Sequence, residues 1–312
     1  MGIAPEPATS DYASARLAVH TAGFLDFLET GWNRWRVLPD HGPEVWPNTF
    51  PYWSGQPEER ARPDCPAESI VARTGWYLGD MSVALGPDSW PSIRESCNTA
   101  VAAADALLQA SNQSSHKREA PDLVYALCRP SGHHARADRA SGFCFVNNTA
   151  VAAQQLRSRF SRVAILDVDA HHGDGTQQIF YSRSDVLTIS IHADPSNYYP
   201  FFTGYTGEQG HGEGEGFNVN LPLAHGATSG AMMAAVDRAC ERIQRYGAEA
   251  LVVALGFDAH ARDPIGVLKL EAKDFGAIAA RVRQLGLPTL VVQEGGYAIE
   301  VLGDCLTEFL GA

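Results

Sequence analysis

No stretch of about 18 consecutive apolar residues occurs in the chain, so no segment reads as a membrane-spanning helix. The opening residues, MGIAPEPATSDYASA, carry neither the basic nor the apolar block of a signal peptide. No two cysteines stand in a CxxC spacing. The six (Cys65, Cys97, Cys128, Cys144, Cys240 and Cys305) are scattered, which argues against a disulfide framework and reads as reduced thiols of a cytoplasmic protein. A basic stripe is missing too: 24 Lys and Arg stand against 36 Asp and Glu, a formal net charge of -12. That balance argues against a nucleic-acid partner and is compatible with a cationic substrate, or with simple solubility. With neither repeats nor low-complexity linkers, residues 1–312 read as a single domain.

Short β-branched runs alternate with helical stretches from about Val124 onward, the pattern of a parallel sheet with crossover helices. The strands are expected at Leu123–Cys128, Arg162–Asp167, Val186–Ile191, Ala250–Leu255 and Thr289–Gln293, with a further strand-like run at Phe217–Leu221. Helices are expected at Leu17–Trp35, Asn148–Arg159, Thr228–Tyr246, Ala272–Leu285 and after Tyr297. A long loop over about 36–75, rich in Pro and Trp from His41 to Pro66, interrupts the first part. The Gly-rich stretch Gly204–Gly216 leads into a strand-like run rather than a helix, so it is not a phosphate loop.

Four polar clusters end four of these strands. The densest, Asp167-Val168-Asp169-Ala170-His171-His172-Gly173-Asp174-Gly175, follows the apolar run Val163–Leu166. In an open parallel sheet ligands bind beyond the carboxyl ends of the strands. If extended backbone continues there, Asp167, Asp169 and His171 share a side, because side chains alternate with period two. Turns and caps also use Asp and Gly, but they give no reason for adjacent histidines among aspartates. A second cluster, Gly256-Phe257-Asp258-Ala259-His260-Ala261-Arg262-Asp263-Pro264, offers Asp258 as a ligand, with Asp263 reading as a turn residue. The third holds tandem histidines in RPSGHHA (Arg129–Ala135), then Ser141-Gly142-Phe143-Cys144-Phe145; paired histidines beside a metal suggest acid–base work. The fourth, Gln293-Glu294-Gly295-Gly296-Tyr297, presents a tyrosine after two glycines.

Taken in order, RPSGHHA, GFCFVNN, DVDAHHGDGTQ, GFDAHARDP and EGGY resemble the histone deacetylase superfamily, within it the bacterial acetylpolyamine amidohydrolases. FLETGWNRW (Phe27–Trp35) and the run from Ser190 to Phe202 are similar to their pattern, and the resemblance spans Leu17 to the C-terminus. It implies a three-layer α/β fold of the arginase/deacetylase kind, its mostly parallel sheet of about eight strands flanked by helices. The first strand expected ahead of Leu17 is missing from this sequence.

The resemblance further implies a metal-dependent deacetylase that hydrolyses an N-acetyl group from an acetylated polyamine or acyl-lysine. Zn2+ (or Fe2+) would be held by Asp169, His171 and Asp258. His134 would be the general base, oriented by Asp174, with His133 beside it held by Asp167; Tyr297 would bind the oxyanion. Gly142, Phe143 and Tyr199 would line the substrate channel. A structural K+ would lie near Asp167, using backbone carbonyls of Asp169 and His171 and the hydroxyl of Ser190. The long loop implies a homodimer or higher homo-oligomer. Polyamine-specific relatives carry acids where Val71 and Ser82 stand here; Asp64, Glu68 and Asp80 are the nearest substitutes. His260 follows the third ligand where the resemblance implies no imidazole, and reads as a rim residue or a further metal-binding group. An arginase-like di-manganese ureohydrolase, which needs extra bridging carboxylates, and a catalytically silent metal-binding relative are the competing readings.

Overall fold

The structure, a computed structural model, describes residues 7–51, 62–112 and 123–312. Six strands form one parallel sheet: β1 (Leu123–Ala126), β2 (Val163–Asp167), β3 (Val186–Ala193), β4 (Asn218–Leu223), β5 (Ala250–Leu255) and β6 (Thr289–Gln293), in the order β1-β6-β5-β2-β3-β4. Alternate residues of the buried strands feed two different cores. Val163 and Ile165 of β2 face one layer, while Ala164 and Leu166 face the other. Both faces are therefore dry, as a parallel sheet covered by crossover helices requires.

One face is covered by α4 (Ser89–Asn112), α5 (Asn148–Leu156) and α6 (Asp174–Phe180). The other is covered by α7 (Ser229–Tyr246), α8 (Ala272–Arg283) and α9 (Ile299–Gly311). The expected three layers are present, but the sheet has six strands among the described residues rather than about eight. Ahead of β1 the described backbone turns into helices and loops, with the isolated bridges Val45–Leu85 and Leu78–Ala140. No helix among the described residues is long and apolar enough to cross a membrane.

A third core lies beside the sheet, built from α1 (Ala13–Leu17), α2 (Ala22–Trp35) and α3 (Ile70–Tyr77). Helix α3 corrects the loop expected over 36–75, whose residues 52–61 lie outside the described residues. Ile70, Thr74 and Tyr77 recur at helical spacing and are all buried, and Tyr77 stacks on Phe27 of α2 at 5.3 Å. Phe27 is fully buried. Phe27→Ala should destabilise the chain by about 3–5 kcal/mol in urea titration, and a loss under about 1 kcal/mol would contradict this packing.

Candidate metal centre and active site

Register along the sheet brings the four clusters to one edge. Asp167 of β2 is level with Ala254 of β5, and Leu255 of β5 with Gln293 of β6. The residues just beyond, Asp169, Asp258 and Gly295, therefore converge. Asp169, His171 and Asp258 place one ligand-type atom each within 4.8 Å of one another, and all three are buried. Asp258 Oδ2 lies 2.9 Å from His171 Nδ1, and Asp169 Oδ1 lies 3.2 Å from it. Backbone donors hold the carboxylates: Ala170 N–H donates to Asp258 Oδ1 (2.8 Å), and Gly295 N–H to Asp169 Oδ2 (2.9 Å). A Cβ on Gly295 would lie 2.6 Å from Asp258 Oδ2 and 2.7 Å from Asp169 Oδ2, so only glycine leaves room for the pair. Tyr198 stacks beneath the His171 ring at 4.5 Å and donates its hydroxyl to the Ile265 carbonyl.

The electrostatics show what this cluster lacks. Burial and the neighbouring Asp169 charge push Asp258 up to about 7. Burial works to lower His171, but the Asp258 and Asp169 carboxylates overcome it and raise it to about 10. Two buried carboxylates thus draw a positive charge onto the one imidazole between them. A divalent cation satisfies the same need with the same atoms, and two oxygen donors plus one nitrogen suit a catalytic site with open positions.

The tandem histidines stand alongside. His133 Nδ1 pairs with Asp167 Oδ2 at 2.9 Å, and His134 Nδ1 with Asp174 Oδ1 at 2.8 Å. Their rings are 4.0 Å apart, and His134 is 6.0 Å from His171. Arg136 pairs with the second oxygen of Asp174 at 3.1 Å. Burial and the His133 charge push His134 down to about 4, against the pull of Asp174. For His133, burial is outweighed by Asp169 and Asp167, and its pKa rises. His172 turns the other way, to Thr203 and Gln177.

Tyr297 faces the cluster from the β6 side, its ring 5.9 Å from Phe143. Burial, then Asp169 and Asp258, raise its phenol above the ordinary value, which keeps the proton on the oxygen. Gly142 (φ +55°) and Phe143 (φ +65°) both take left-handed backbone; a Cβ at Gly142 would meet His134 Cδ2 at 2.4 Å. Tyr199 sets its ring edge-on to His134 at 4.9 Å.

Further side chains hold this edge together. Glu294, buried and raised to about 7 by burial first, accepts the Gly132 and His133 N–H groups and the Thr149 hydroxyl. It forms a second ligand-type group with His133 and Cys144, but its own oxygens are already satisfied. Asp80 Oδ2 accepts from the Tyr199 hydroxyl (2.7 Å) and Gly142 N–H (3.1 Å), while Oδ1 accepts from Ser82. Asp80 is thus committed to holding Tyr199 and Gly142. Asp64 packs against Gly23 of α2, and the Glu68 carbonyl accepts from Arg34. Val71 lies within α3. The Ser190 hydroxyl, level with Asp167 in the sheet, pairs with His192 Nδ1 at 2.8 Å. His260 is buried away from both ligand-type groups, its Nδ1 accepting from Arg262 N–H. Asp263, the next carboxylate after Asp258, is filled by backbone N–H groups. It therefore offers no bridging ligand of the kind a two-metal ureohydrolase needs.

A parallel three-layer α/β chain with a buried Asp-His-Asp cluster beyond its strand ends defines a class of metal-dependent hydrolase. The family profile described as histone deacetylase domain matches residues 2–312. Acetylpolyamine amidohydrolase of Burkholderia pseudomallei is 42% identical over 94% of this chain and 81% of its own. Acetylpolyamine amidohydrolase 1 of Pseudomonas aeruginosa is 43% identical, over 92% and 79%. A crystal structure of acetylpolyamine aminohydrolase from Burkholderia pseudomallei superposes with a TM-score of 0.88 at 41% identity, over 98% of this chain and 84% of that one. The chain belongs to the histone deacetylase family, whose members are metal-dependent.

If the cluster is a cation site, zinc at a hundred-fold excess over its Kd should stabilise the chain by about 2.7 kcal/mol. Thermal melts with zinc and with chelator, repeated on Asp258→Asn, read this out; an unchanged zinc response in the variant would contradict the assignment.

Proposed function

We propose that the chain is an amidohydrolase that removes the acetyl group from an acetylated polyamine by metal-assisted hydrolysis. The observation that carries this is the meeting of the Asp169–His171–Asp258 cluster, the His133–His134 pair and Tyr297 at one sheet edge, in a chain over 40% identical to acetylpolyamine amidohydrolases. Asp169, His171 and Asp258 would hold the ion, zinc by the donor set, with iron(II) tolerated. When bound, it supplies Lewis-acid polarisation of the acyl carbonyl and makes the attacking water more acidic.

The chain's own groups do the rest. Because Nδ1 of His134 is engaged by Asp174, its Nε2 is left to take the proton of the attacking water. Its low proton affinity keeps it unprotonated at neutral pH, ready as a base. The proton then passes from Nε2 to the amine nitrogen as the C–N bond breaks, and acetate and free amine leave. His133, fixed by Asp167, positions the water from the other side. The Tyr297 phenol, which keeps its proton, donates to the carbonyl oxygen as negative charge develops there. Phe143 and Tyr199, with Gly142 between them and His134, wall a channel that admits an unbranched alkyl amine.

Three further assignments belong to the same proposal. A monovalent cation, potassium by preference, would sit behind the site near Asp167, with backbone carbonyls of Asp169 and His171 and the Ser190 hydroxyl. A second copy of the chain would pack through the segment over about 36–75; the exposed Phe50 within it supports such a contact. Six free cysteines support a reducing, cytoplasmic setting.

Zinc-reloaded protein should release acetate from N-acetylputrescine and N-acetylcadaverine faster than from an acetyl-lysine peptide. Zero turnover on all three with metal bound would sink the proposal. Tyr297→Phe should keep its metal yet lose roughly one hundred-fold or more in kcat. The acid limb of kcat/KM should reflect His134, activity falling as pH drops through about 4 and the base gains its proton. A limb centred at the ordinary imidazole value of 6.5 would contradict that role.

A further inference from the structure

One carboxylate outside the ligand cluster accepts four backbone N–H bonds. Asp263 Oδ1 takes the Ile265 N–H (3.0 Å) and Gly266 N–H (3.1 Å), closing the turn after Pro264. That pair is what an aspartate before a proline does in an ordinary turn. Asp263 Oδ2 takes the Tyr297 N–H at 2.7 Å and the Ala298 N–H at 3.2 Å, from the far side of the site. Asp263 is only 7% exposed, so these bonds are sheltered from water.

The second pair has a structural cause and a chemical consequence. Helix α9 begins with Ala298 at its N-cap, which has no side chain to accept an N–H, and the acceptor arrives instead from the loop after β5. That same loop carries Asp258. The segment bearing Tyr297 is thereby pinned at two points: Gly295 bonds to Asp169 and to the Phe257 N–H, and Tyr297 N–H bonds to Asp263. The Tyr297 ring itself is 37% exposed and meets Phe143 edge-on, so packing alone holds it loosely.

We propose that Asp263 is a positioning residue, fixing the Tyr297 backbone so that its phenol stands at a set place relative to Asp169 and Asp258. The inference rests on the reading of Tyr297 as the donor to the carbonyl oxygen. Asp263 does not touch substrate or ion, because both its oxygens are filled by backbone donors. An Asn in its place presents an amide group where one oxygen stood, so one N–H pair loses its acceptor and faces a donor.

The test is a double-mutant cycle in the zinc-loaded full chain, with N-acetylputrescine as substrate and bound zinc measured in every variant. Asp263→Asn is expected to lower kcat roughly ten-fold or more while KM and bound zinc stay within about two-fold, since small misplacement of a catalytic group is costly. In a Tyr297→Phe background the same change should alter kcat by less than about two-fold, because the group being positioned is gone. Equal fold-losses in both backgrounds, or a loss that tracks zinc content, would overturn the inference alone. A Tyr297→Phe enzyme as fast as the parent overturns the role of Tyr297, and the inference with it. If Asp263→Asn does not fold, Asp263→Glu, which keeps both oxygens but shifts them by one methylene, runs the same cycle with the same criteria.

Discussion

Burial of negative charge is the constraint on which the rest of this structure depends. Asp167, Asp169, Asp174, Asp258 and Glu294 all lie buried at one edge of the sheet. A buried carboxylate without partners is costly, so each draws donors to itself. Asp167 holds His133, Asp174 holds His134 and Arg136, and Glu294 gathers the Gly132 and His133 N–H groups. Those bonds tie the loop after β1 to the loops after β2 and β6. Asp169 and Asp258 share the His171 imidazole between two charges, and the negative potential that remains there favours a cation. Burial first, and then the Asp169 and Asp258 charges, raise the Tyr297 phenol and so preserve it as a donor.

The dry sheet explains why these charges sit where they do. Strands β2, β3 and β5 are buried along their whole length, leaving no face on which a polar side chain could be solvated. Carboxylates therefore gather where the strands end, while Thr188, Ser190 and His192 inside β3 are satisfied by hydrogen bonds. Because all pairings are parallel, the ends coincide, and residues far apart in sequence arrive side by side. Polar clusters at strand ends and apolar runs within strands are two consequences of the same packing.

That packing also governs what was legible in the sequence. Ala250–Leu255 and Thr289–Gln293 coincide with β5 and β6, because a doubly covered strand is a short apolar run bounded by turns. Helix α4 was not anticipated: its Ala-rich sequence shows no strong apolar stripe, and its small side chains pack closely on α5 and β1. Helix α3 was concealed by the Pro- and Trp-rich residues before it. DVDAHHGDG stood out because several ligand types crowd a few positions. The positioning roles of Asp80, Asp263 and Arg136 did not, because each works through partners supplied by other segments. An isolated aspartate beside Gly, Ser or Pro reads as a turn residue until Tyr199 or Tyr297 is seen to face it.

Asp80 shows how that difference bears on selectivity. Placed near the channel, it reads from sequence as an acid for a cationic tail. In the structure its two oxygens already accept from Ser82, Gly142 and Tyr199, each such bond contributing about 1 kcal/mol net and more to a charged acceptor. To receive an ammonium group it would have to release Tyr199 or Gly142, the groups it holds beside His134. The two roles exclude each other at one carboxylate. Asp80 therefore fixes Tyr199 and Gly142, and under the proposed function the draw on a cationic substrate would come from the field of a chain carrying a formal charge of -12, a long-range effect on encounter rather than a contact.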